Sequence, residues 1–535
     1  MSATTVQGRD TTATPSRPPA VRHTRGARFL LLFAVFLCAA CGLVYELALT
    51  ALGSYLIGNS VLQTSVVISV MVCAMGLGSL AAKPLRRRAV GAFALVEGVL
   101  ALVGGLSVLV LYAAFAWLQL YTPAMIVVAV AVGLLIGAEI PLLMTLLQRI
   151  RRQEAGSAVA DMFAVDYIGA LVGGLGFPLW LLPTFGQLKG TLVVGVVNAV
   201  AGVIVVVFIF RRQIRRWVRN ALLAGVAAVL AVLGTTYVLA DDLEMTARQQ
   251  MYRDPIVHAE TTPYQEIVVT RSTAFTGAPD IRLFLNGDLQ FSSVDEYRYH
   301  ESLVHPALAG SRANVLIMGG GDGLALREVL RYDDVQHVTL VELDPAMTRL
   351  ARDFPPLRDL NDKALDDPRV TVVNADAFNW LRGGVRQRYD AVVIDFPDPD
   401  TAALAKLYSV EFYHLLGQVL TPQSRVMVQS GSPFFAPKTY WSIAKTIETA
   451  GYSTSQFQVD VPSFGNWGFV LASPGRTTSP PLRLAPNAPR LRYLDQAVLK
   501  AASVFPVDRR PQEVRPSTLM DPAVLDYVLD EWENY

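Results

Sequence analysis

The chain has 535 residues, 52% of them hydrophobic and 17% charged, and carries a formal net charge of +1 at pH 7. This length is too great for one compact core, and the composition changes sharply near residue 240. The near-neutral net charge is a sum over two different regions, an apolar first half and a second half of ordinary polar composition. Because no long basic block follows the apolar half, a nucleic-acid partner is not expected.

Residues 1–27 are rich in Thr, Arg, Pro and Ala and predict a disordered basic tail. The apolar run after them is too long for a signal peptide and lacks a small-residue cleavage site, so we expect an anchor. Cys38, Cys41 and Cys73 all fall in predicted membrane segments. They indicate neither a disulfide framework nor a cysteine-based metal knuckle.

Residues 28–240 predict a transmembrane domain of about seven helices, since about 20 apolar residues are needed to cross a hydrocarbon core of roughly 30 Å. The segments that meet this length are 29–50, 63–83, 91–115, 124–147, 160–184, 189–210 and 220–240. The glycines of 76–78 and 173–176 predict close packing between helices.

Basic residues concentrate on alternate connections between these segments, and the intervening connections carry almost none. They are Arg22, Arg25, Arg28, Lys83, Arg86, Arg87, Arg88, Arg149, Arg151, Arg152, Arg211, Arg212, Arg215, Arg216 and Arg219. The positive-inside rule makes these connections cytoplasmic, so an odd number of spans predicts an extracytoplasmic second half.

Acidic residues interrupt the apolar segments, where an ionisable group is costly. They are Glu46, Glu97, Glu139, Asp161 and Asp166. Two interpretations stay open. The acids line a path for a cation or polyamine, or they form hydrogen bonds between helices and at the membrane interface.

The second half predicts an α/β domain preceded by a small β-hairpin subdomain. Residues 241–310 hold a linker and an antiparallel unit, with Asn286-Gly287 as a tight turn between runs 281–285 and 288–291. Residues 311–475 alternate strands and helices as in a Rossmann-like, class I methyltransferase-type fold. The predicted strands are 315–318, 338–341, 370–373, 391–394 and 425–428, with a further pairing around 468–471. Residues 476–535 form a C-terminal extension with a helix near its end.

Glycines and acids follow the predicted parallel strands, where this fold binds its ligands. A glycine loop at 319–323 lacks the third glycine of a dinucleotide fingerprint, which disfavours a nicotinamide or flavin cofactor. Glu342 after the second strand is placed to accept hydrogen bonds from ribose hydroxyls, and Asp376 after the third from an adenine amine. Asp395 and Asp398 after the fourth predict a site for a polycation.

These motifs in this order resemble the spermidine synthase family of polyamine aminopropyltransferases, over roughly residues 255–475. The motifs are Tyr264-Gln265-Glu266, LNGDLQ at 285–290, DEYRYHE at 295–301, the glycine loop 319–323, Val341-Glu342-Leu343-Asp344, Asp376 and Asp395-x-x-Asp398-Pro399. The segment before the main sheet is included, and an ordinary methyltransferase lacks it.

The resemblance implies transfer of an aminopropyl group from decarboxylated S-adenosylmethionine to putrescine or a related polyamine, giving spermidine and methylthioadenosine. It implies a donor site of Gln265, Asp322, Glu342, Asp376 and Ala377, with Asp395 beside it. It implies an acceptor site of His300, Asp322, Asp395, Asp398 and, more weakly, Tyr299, in which Asp395 accepts the proton. Neither a metal nor a resident cofactor is expected. Membrane lipid and a second copy of the chain complete the expected partners.

Three departures from the family pattern fall on the acceptor side: Phe396 and Pro397 between the aspartates, the loop 400–406, and the segment 462–468. Two other functions therefore stay open, a methyltransferase using S-adenosylmethionine and a membrane polyamine transporter or sensor with a non-catalytic synthase-like domain. The predicted orientation also conflicts with a donor made in the cytoplasm. Either the span count is wrong by one, or the substrates reach an external site.

Overall fold

The computed structural model describes residues 24–57, 60–118, 120–150, 155–211, 214–272, 279–475 and 478–532. The chain divides into two compact units, Met1–Arg253 and Asp254–Tyr535, each described by itself below. Of the predicted disordered tail, residues 1–23 lie outside the described ranges, and Thr24 already begins the first helix.

The first unit is helical throughout its described residues. Its helices are α1 (Thr24–Ile57), α2 (Ser60–Ala81), α3 (Ala89–Gly105), α4 (Ser107–Ala113), α5 (Tyr121–Ile150), α6 (Ala155–Gly176), α7 (Leu182–Ile204), α8 (Arg216–Val238) and α9 (Ala240–Gln249). A 3₁₀ turn precedes α3 at Pro84–Arg88, and π turns occupy Ala114–Leu118, Phe177–Leu181 and Val205–Ile209. The unit extends past residue 240, because α9 packs against α4 and α7.

Six of the described helices are long and apolar enough to cross a membrane, where the sequence predicts about seven. The difference lies in one apolar stretch of 51 residues, Val159–Ile209, which contains both the fifth and the sixth predicted segments. A straight helix of that length would measure about 75 Å, more than twice the hydrocarbon thickness. Gly186, at φ 70° and ψ −175°, interrupts the stretch inside α7. Glycine adopts this positive φ without a steric penalty, so the helix kinks there.

Glycines allow two helix pairs to approach closely. A Cβ on Gly78 of α2 would lie 2.0 Å from the carbonyl oxygen of Leu134 on α5. A Cβ on Gly173 of α6 would lie 2.4 Å from the carbonyl oxygen of Ala40 on α1. The predicted close packing is therefore confirmed at these two glycines. Gly76 has open space at the same position and makes no such contact.

The second unit begins with a four-stranded antiparallel sheet in the order β1-β2-β3-β4. Its strands are β1 (Ile256–Thr261), β2 (Glu266–Arg271), β3 (Ile281–Leu285) and β4 (Asp288–Ser292). Asn286 and Gly287 turn between β3 and β4 with φ of 53° and 95°, which confirms the predicted tight turn. Strand β1 was not predicted from the sequence. Helix α10 (Glu296–Val304) follows β4.

A seven-stranded sheet of order β10-β11-β9-β8-β5-β6-β7 forms the body of this unit. Its strands are β5 (Asn314–Gly319), β6 (His337–Glu342), β7 (Val370–Asn374), β8 (Tyr389–Asp395), β9 (Leu420–Gln429), β10 (Tyr452–Val461) and β11 (Gly465–Pro474). Strands β5 to β9 pair in parallel, whereas β11 is antiparallel to β9 and β10. The order reverses direction between β5 and β8, where this fold opens a crevice at the carboxyl ends of its strands. The predicted fold class is confirmed.

The helices of the second unit connect these strands and extend beyond them. They are α11 (Leu324–Leu330), α12 (Pro345–Asp353), α13 (Pro355–Leu360), α14 (Ala377–Arg382), α15 (Ala402–Ala405), α16 (Val410–Gly417), α17 (Pro437–Thr449), α18 (Gln496–Ala502) and α19 (Ala523–Trp532). Alternate residues of β5 and β8 enter separate apolar clusters, with Ile317 and Val393 in one and Leu316 and Val392 in the other. The sheet is therefore covered on both faces.

The C-terminal extension is bound to the second unit by two buried carboxylates. Glu301 of α10 accepts the backbone N–H groups of residues 492–494 at 2.7 to 2.9 Å. Glu531 of α19 accepts the N–H groups of residues 438–439 at 2.8 and 3.0 Å. These N–H groups lie in the first turn of α17, so Glu531 caps that helix. The predicted C-terminal helix thus packs on its own unit.

Candidate active site

The glycine loop after β5 lies directly against acids of the two neighbouring strands. A Cβ on Gly319, where φ is 77°, would lie 2.1 Å from the carbonyl oxygen of Asp395 at the end of β8. A Cβ on Gly321 would lie 2.7 Å from Oε2 of Glu342 at the end of β6. Only glycine lets the backbone pass this close, so the loop brings both acids to one edge of the sheet.

Glu342 is held by backbone donors on both of its oxygens. Its Oε2 accepts the N–H of Gly321 at 3.1 Å, and its Oε1 accepts the N–H of Asp344 at 2.9 Å. Burial raises the pKa of Glu342 to about 7, although these backbone donors oppose the rise. Each oxygen keeps a further lone pair, so the carboxylate can accept two hydroxyl groups from a ligand.

Gln265 is positioned beside this acid through Asp344. Its Nε2 donates to Oδ2 of Asp344 at 3.1 Å, and the Thr262 hydroxyl donates to the same oxygen at 2.8 Å. The other oxygen of Asp344 accepts the N–H of Ala346 and caps α12. One aspartate therefore ties the start of the antiparallel sheet to the ligand-binding edge of the parallel sheet.

Asp376 follows β7 and caps α14, accepting the N–H of Asn379 at 2.8 Å. Ala377 is the buried first residue of that helix. Lys406 donates to Oδ2 of Asp376 at 2.7 Å, a contact that the sequence analysis missed. Burial would raise the pKa of Asp376, but Lys406 and the helix N–H groups outweigh it and lower that pKa. Asp376 is therefore an ionised acceptor at neutral pH.

Asp322 lies in the glycine loop between the two groups of predicted ligand-binding residues. Its Oδ1 accepts the N–H of Leu324 at 2.8 Å, at the start of α11. Burial raises the pKa of Asp322, and the nearby His300 opposes that rise. The charge of Asp322 in turn raises the pKa of both Glu342 and Asp395. Three carboxyl groups thus share one edge of the sheet.

Asp395 receives a short hydrogen bond from Tyr299 of α10, with 2.5 Å between the hydroxyl oxygen and Oδ1. Burial raises the pKa of Asp395 to about 6, and Asp322 adds to the rise, while His300 and the Tyr299 hydroxyl oppose it. A carboxyl group with a pKa this close to neutrality can accept a proton and release it again.

His300 is fixed by a network that the sequence analysis missed. Its Nδ1 lies 2.8 Å from Oε2 of Glu296, and Arg327 donates to both oxygens of Glu296 at 3.0 and 2.9 Å. Burial alone would lower the pKa of His300, but the hydrogen bond and charge of Glu296 raise it. The raised pKa favours the protonated form of His300, whose positive charge lowers the pKa of Asp395.

Asp398 is held by Gln429, the last residue of β9. The Gln429 amide donates to Oδ1 of Asp398 at 3.1 Å and to the carbonyl oxygen of Phe396 at 2.6 Å. Burial raises the pKa of Asp398 to about 6, and the charges of Asp400 and Asp288 add to it. Gln429 was not predicted as a site residue, although its place at the end of the strand next to β8 could have indicated it.

The arrangement suits a cationic ligand. Within the described part of the chain, neither Lys nor Arg forms a salt bridge with Asp322, Asp395 or Asp398. Like charges at one sheet edge repel each other, and burial adds to the cost of ionising them. A ligand that brings ammonium groups would relieve both costs. The edge therefore combines acceptors for a sugar and an adenine with acids for a polyamine.

Comparison with known proteins agrees with this chemistry. Residues 296–479 match the spermine/spermidine synthase domain. The chain is 83% identical to polyamine aminopropyltransferase 1 of Streptomyces coelicolor, covering 98% of both chains. It is 47% identical to the polyamine aminopropyltransferase of Mycobacterium tuberculosis strain H37Rv, covering 95% of this chain and 97% of that one.

Among solved structures, a spermidine synthase from Thermotoga maritima matches with 26% identity and a TM-score of 0.42, over 47% of this chain and 84% of its own. The family assignment rests on the two polyamine aminopropyltransferases, because they match this chain over nearly its whole length and so include both units. The chain therefore belongs to the polyamine aminopropyltransferase family and is an aminopropyltransferase.

Proposed function

We propose that the second unit transfers the aminopropyl group of decarboxylated S-adenosylmethionine to putrescine, giving spermidine and methylthioadenosine. The observation that carries this proposal is the pair Asp395 and Asp398, two acids with raised pKa beside a glycine loop and free of salt bridges in the described residues. Acids of this kind bind the ammonium groups of a diamine and remove a proton from one of them.

The donor occupies the side of the sheet edge formed by β5, β6 and β7. Glu342 accepts the ribose hydroxyls, and Asp376 with Ala377 receives the adenine. Gln265 closes the site from the antiparallel sheet. Asp322 binds the ammonium of the aminopropyl chain, since it lies between Glu342 and Asp395. The donor's reactive carbon is thereby directed towards the acids of the acceptor side.

The acceptor amine arrives as an ammonium ion and loses one proton before it can react. Asp395 takes this proton, directly or through a water molecule. The freed lone pair forms a C–N bond at the carbon next to the sulfonium, the C–S bond breaks, and its electron pair stays on sulfur. Asp398 holds the second ammonium of the diamine, while Tyr299 fixes Asp395 for the transfer.

Asp395→Asn tests this role, because the amide keeps the shape of the side chain and cannot accept the proton. We expect transfer to fall about 100-fold or more, while donor binding stays measurable by calorimetry. Asp333→Asn makes the same change at an exposed position and should keep full activity. Unchanged transfer in Asp395→Asn would remove this residue from the mechanism. Methyl transfer from S-adenosylmethionine without aminopropyl transfer would overturn the function itself.

We also propose that the first unit spans the cell membrane with its arginine-rich end in the cytoplasm. Arg149 at the end of α5 donates to the carbonyl oxygens of Arg86 and Arg87 before α3. Arg28 at the start of α1 forms an ion pair with Asp161 at the start of α6. These contacts gather three of the four basic connections at one end of the unit, as the positive-inside rule requires of a cytoplasmic end. Arg22, Arg151, Arg152 and Arg212 lie outside the described residues.

The chain leaves the first unit from the opposite end. Lys189, just after the kink in α7, forms a salt bridge with Asp241 at 2.7 Å, and Asp241 lies in the first turn of α9, the helix that follows α8. This supports an extracytoplasmic second unit. Alkaline phosphatase fused after residue 535 should be active, and green fluorescent protein fused there should stay dark. The reverse pattern would place the catalytic unit in the cytoplasm.

A further inference from the structure

Three helices of the first unit bring a thiol and two carboxyl groups together in its interior. Cys38 of α1, Glu97 of α3 and Glu139 of α5 each place one ligand atom within 4.8 Å of the others. Their relative exposures are 2%, 0% and 4%, so bulk water does not reach them. The Cys38 thiol donates to Oε1 of Glu97 at 3.2 Å.

The cluster contains hydrogen-bonding capacity that the described residues leave unused. Oε2 of Glu97 and Oε1 of Glu139 are buried and have no hydrogen-bond partner. Asn198 of α7, which is fully buried, donates to the backbone carbonyl of Glu97 at 3.3 Å, and its own Oδ1 is also unpartnered. Buried polar atoms without partners are costly, so the two carboxyl oxygens of this cluster indicate a missing ligand.

Some other acids of this unit pair with basic side chains. Asp161 pairs with Arg28, and Asp241 pairs with Lys189. Within the described part of the unit, Glu97 and Glu139 have no salt bridge to Lys or Arg. Ionisation of two of the three acidic groups of the cluster, the Cys38 thiol and the two carboxyl groups, balances the charge of one divalent cation, which a low-dielectric interior demands.

We propose that Cys38, Glu97 and Glu139 bind a divalent transition-metal ion of the zinc class. A thiol sulfur selects zinc-like ions over magnesium or calcium, which prefer oxygen ligands alone. Across a tetrahedral zinc ion, sulfur and oxygen ligands are about 3.5 Å apart, close to the 3.2 Å between Cys38 and Glu97. The ion would join α1, α3 and α5. The three cysteines alone gave no metal motif, because both glutamates come from other helices.

The test uses the full chain purified in detergent, stripped with a chelator, reloaded with Zn²⁺ and freed of excess metal by gel filtration. Elemental analysis should find about one zinc per chain. Cys38→Ser should weaken zinc binding at least about tenfold, whereas Cys73→Ser, which alters an exposed cysteine, should bind as the unaltered chain does. Loading with Mg²⁺ instead should leave no retained metal.

Cobalt gives a spectroscopic readout that the unaltered chain shows by itself. The unaltered chain and Cys73→Ser should show the near-ultraviolet absorption of a thiolate–cobalt bond, and Cys38→Ser should lack it. Glu97→Gln and Glu139→Gln should each retain less metal. The proposal is overturned if the unaltered chain retains no zinc, which would mean that the carboxyl groups are simply protonated. It is also overturned if Cys38→Ser retains as much metal as Cys73→Ser.

Discussion

Tyr299 joins two parts of the second unit that lie 96 residues apart in the chain. The ring packs against Phe464 and Phe469, with centroids 5.8 and 5.3 Å away, and the hydroxyl reaches Asp395. The aromatic contacts fix the ring and hence the position of its hydroxyl oxygen, which lies within hydrogen-bond distance of one oxygen of the acid.

Tyr299→Phe should move the acid limb of the pH profile to higher pH. The hydroxyl favours the ionised form of Asp395, so its loss raises the pKa of that acid above about 6. A proton acceptor must be ionised, so kcat/KM falls as the pH drops through this pKa, and in the variant the fall begins at a higher pH. A profile over roughly pH 5 to 9 measures the shift.

Tyr297→Phe is the matched control, because Tyr297 lies on the same helix and its ring stacks on the Arg492 guanidinium at 3.7 Å. Its profile should superimpose on that of the unaltered enzyme. An acid limb that stays in place in Tyr299→Phe would show that the tyrosine does not act on the proton acceptor.

At the scale of elements, the packing of α2 on α5 depends on the absence of side chains at particular turns. Gly78→Leu should break this contact, because its Cβ alone would overlap the Leu134 carbonyl. Gly76→Leu, two residues earlier on α2, meets open space and should be tolerated. Thermal unfolding in detergent should show a large loss of stability for the first variant only. Equal melting temperatures would contradict the close approach of these helices.

Helix α5 also contains a backbone carbonyl that has lost its donor within the helix and is paired by a neighbouring helix. Pro141 lies inside α5 and cannot donate to the carbonyl of Gly137. Ser79 of α2 donates to that carbonyl at 2.8 Å instead. A serine on a neighbouring helix therefore satisfies the group that proline leaves free.

The sequence was most informative where a local rule fixes position. The parallel-strand rule placed Glu342, Asp376 and Asp395 at strand ends, because carboxyl ends of parallel strands meet at one edge. Strands β1 and β10 were not predicted, because their pairing depends on tertiary packing rather than on a local sequence pattern. Lys406 and Gln429 were missed for the same reason, as each reaches an acid 30 or 31 residues away.

At the scale of the whole molecule, the C-terminal extension supplies donors that the second unit requires. A chain that ends after residue 490 would leave the Glu301 carboxylate buried without residues 492–494. We expect this chain to lose cooperative unfolding of the second unit and aminopropyl transfer, because an unpaired buried carboxylate is strongly destabilising. Circular dichroism and a transfer assay would measure both.

A chain that ends after residue 510 keeps the donors to Glu301, but loses α19 with the Glu531 cap and the Ser517 backbone contacts to α16 and α17. It should be less impaired than the shorter chain. Full transfer by the chain that ends after residue 490 would show that the extension is dispensable.

The hydrogen bonds of Glu301 also determine when α10 can reach its final position during translation. Tyr299, His300 and Glu301 are consecutive on α10, yet the donors that hold this helix are translated 191 to 193 residues later. At ribosomal speed that interval lasts roughly 10 to 40 s. Tyr299 and His300 are therefore translated long before the backbone donors that hold their helix. We therefore expect the newly made chain to be inactive until residues 492–494 have been translated.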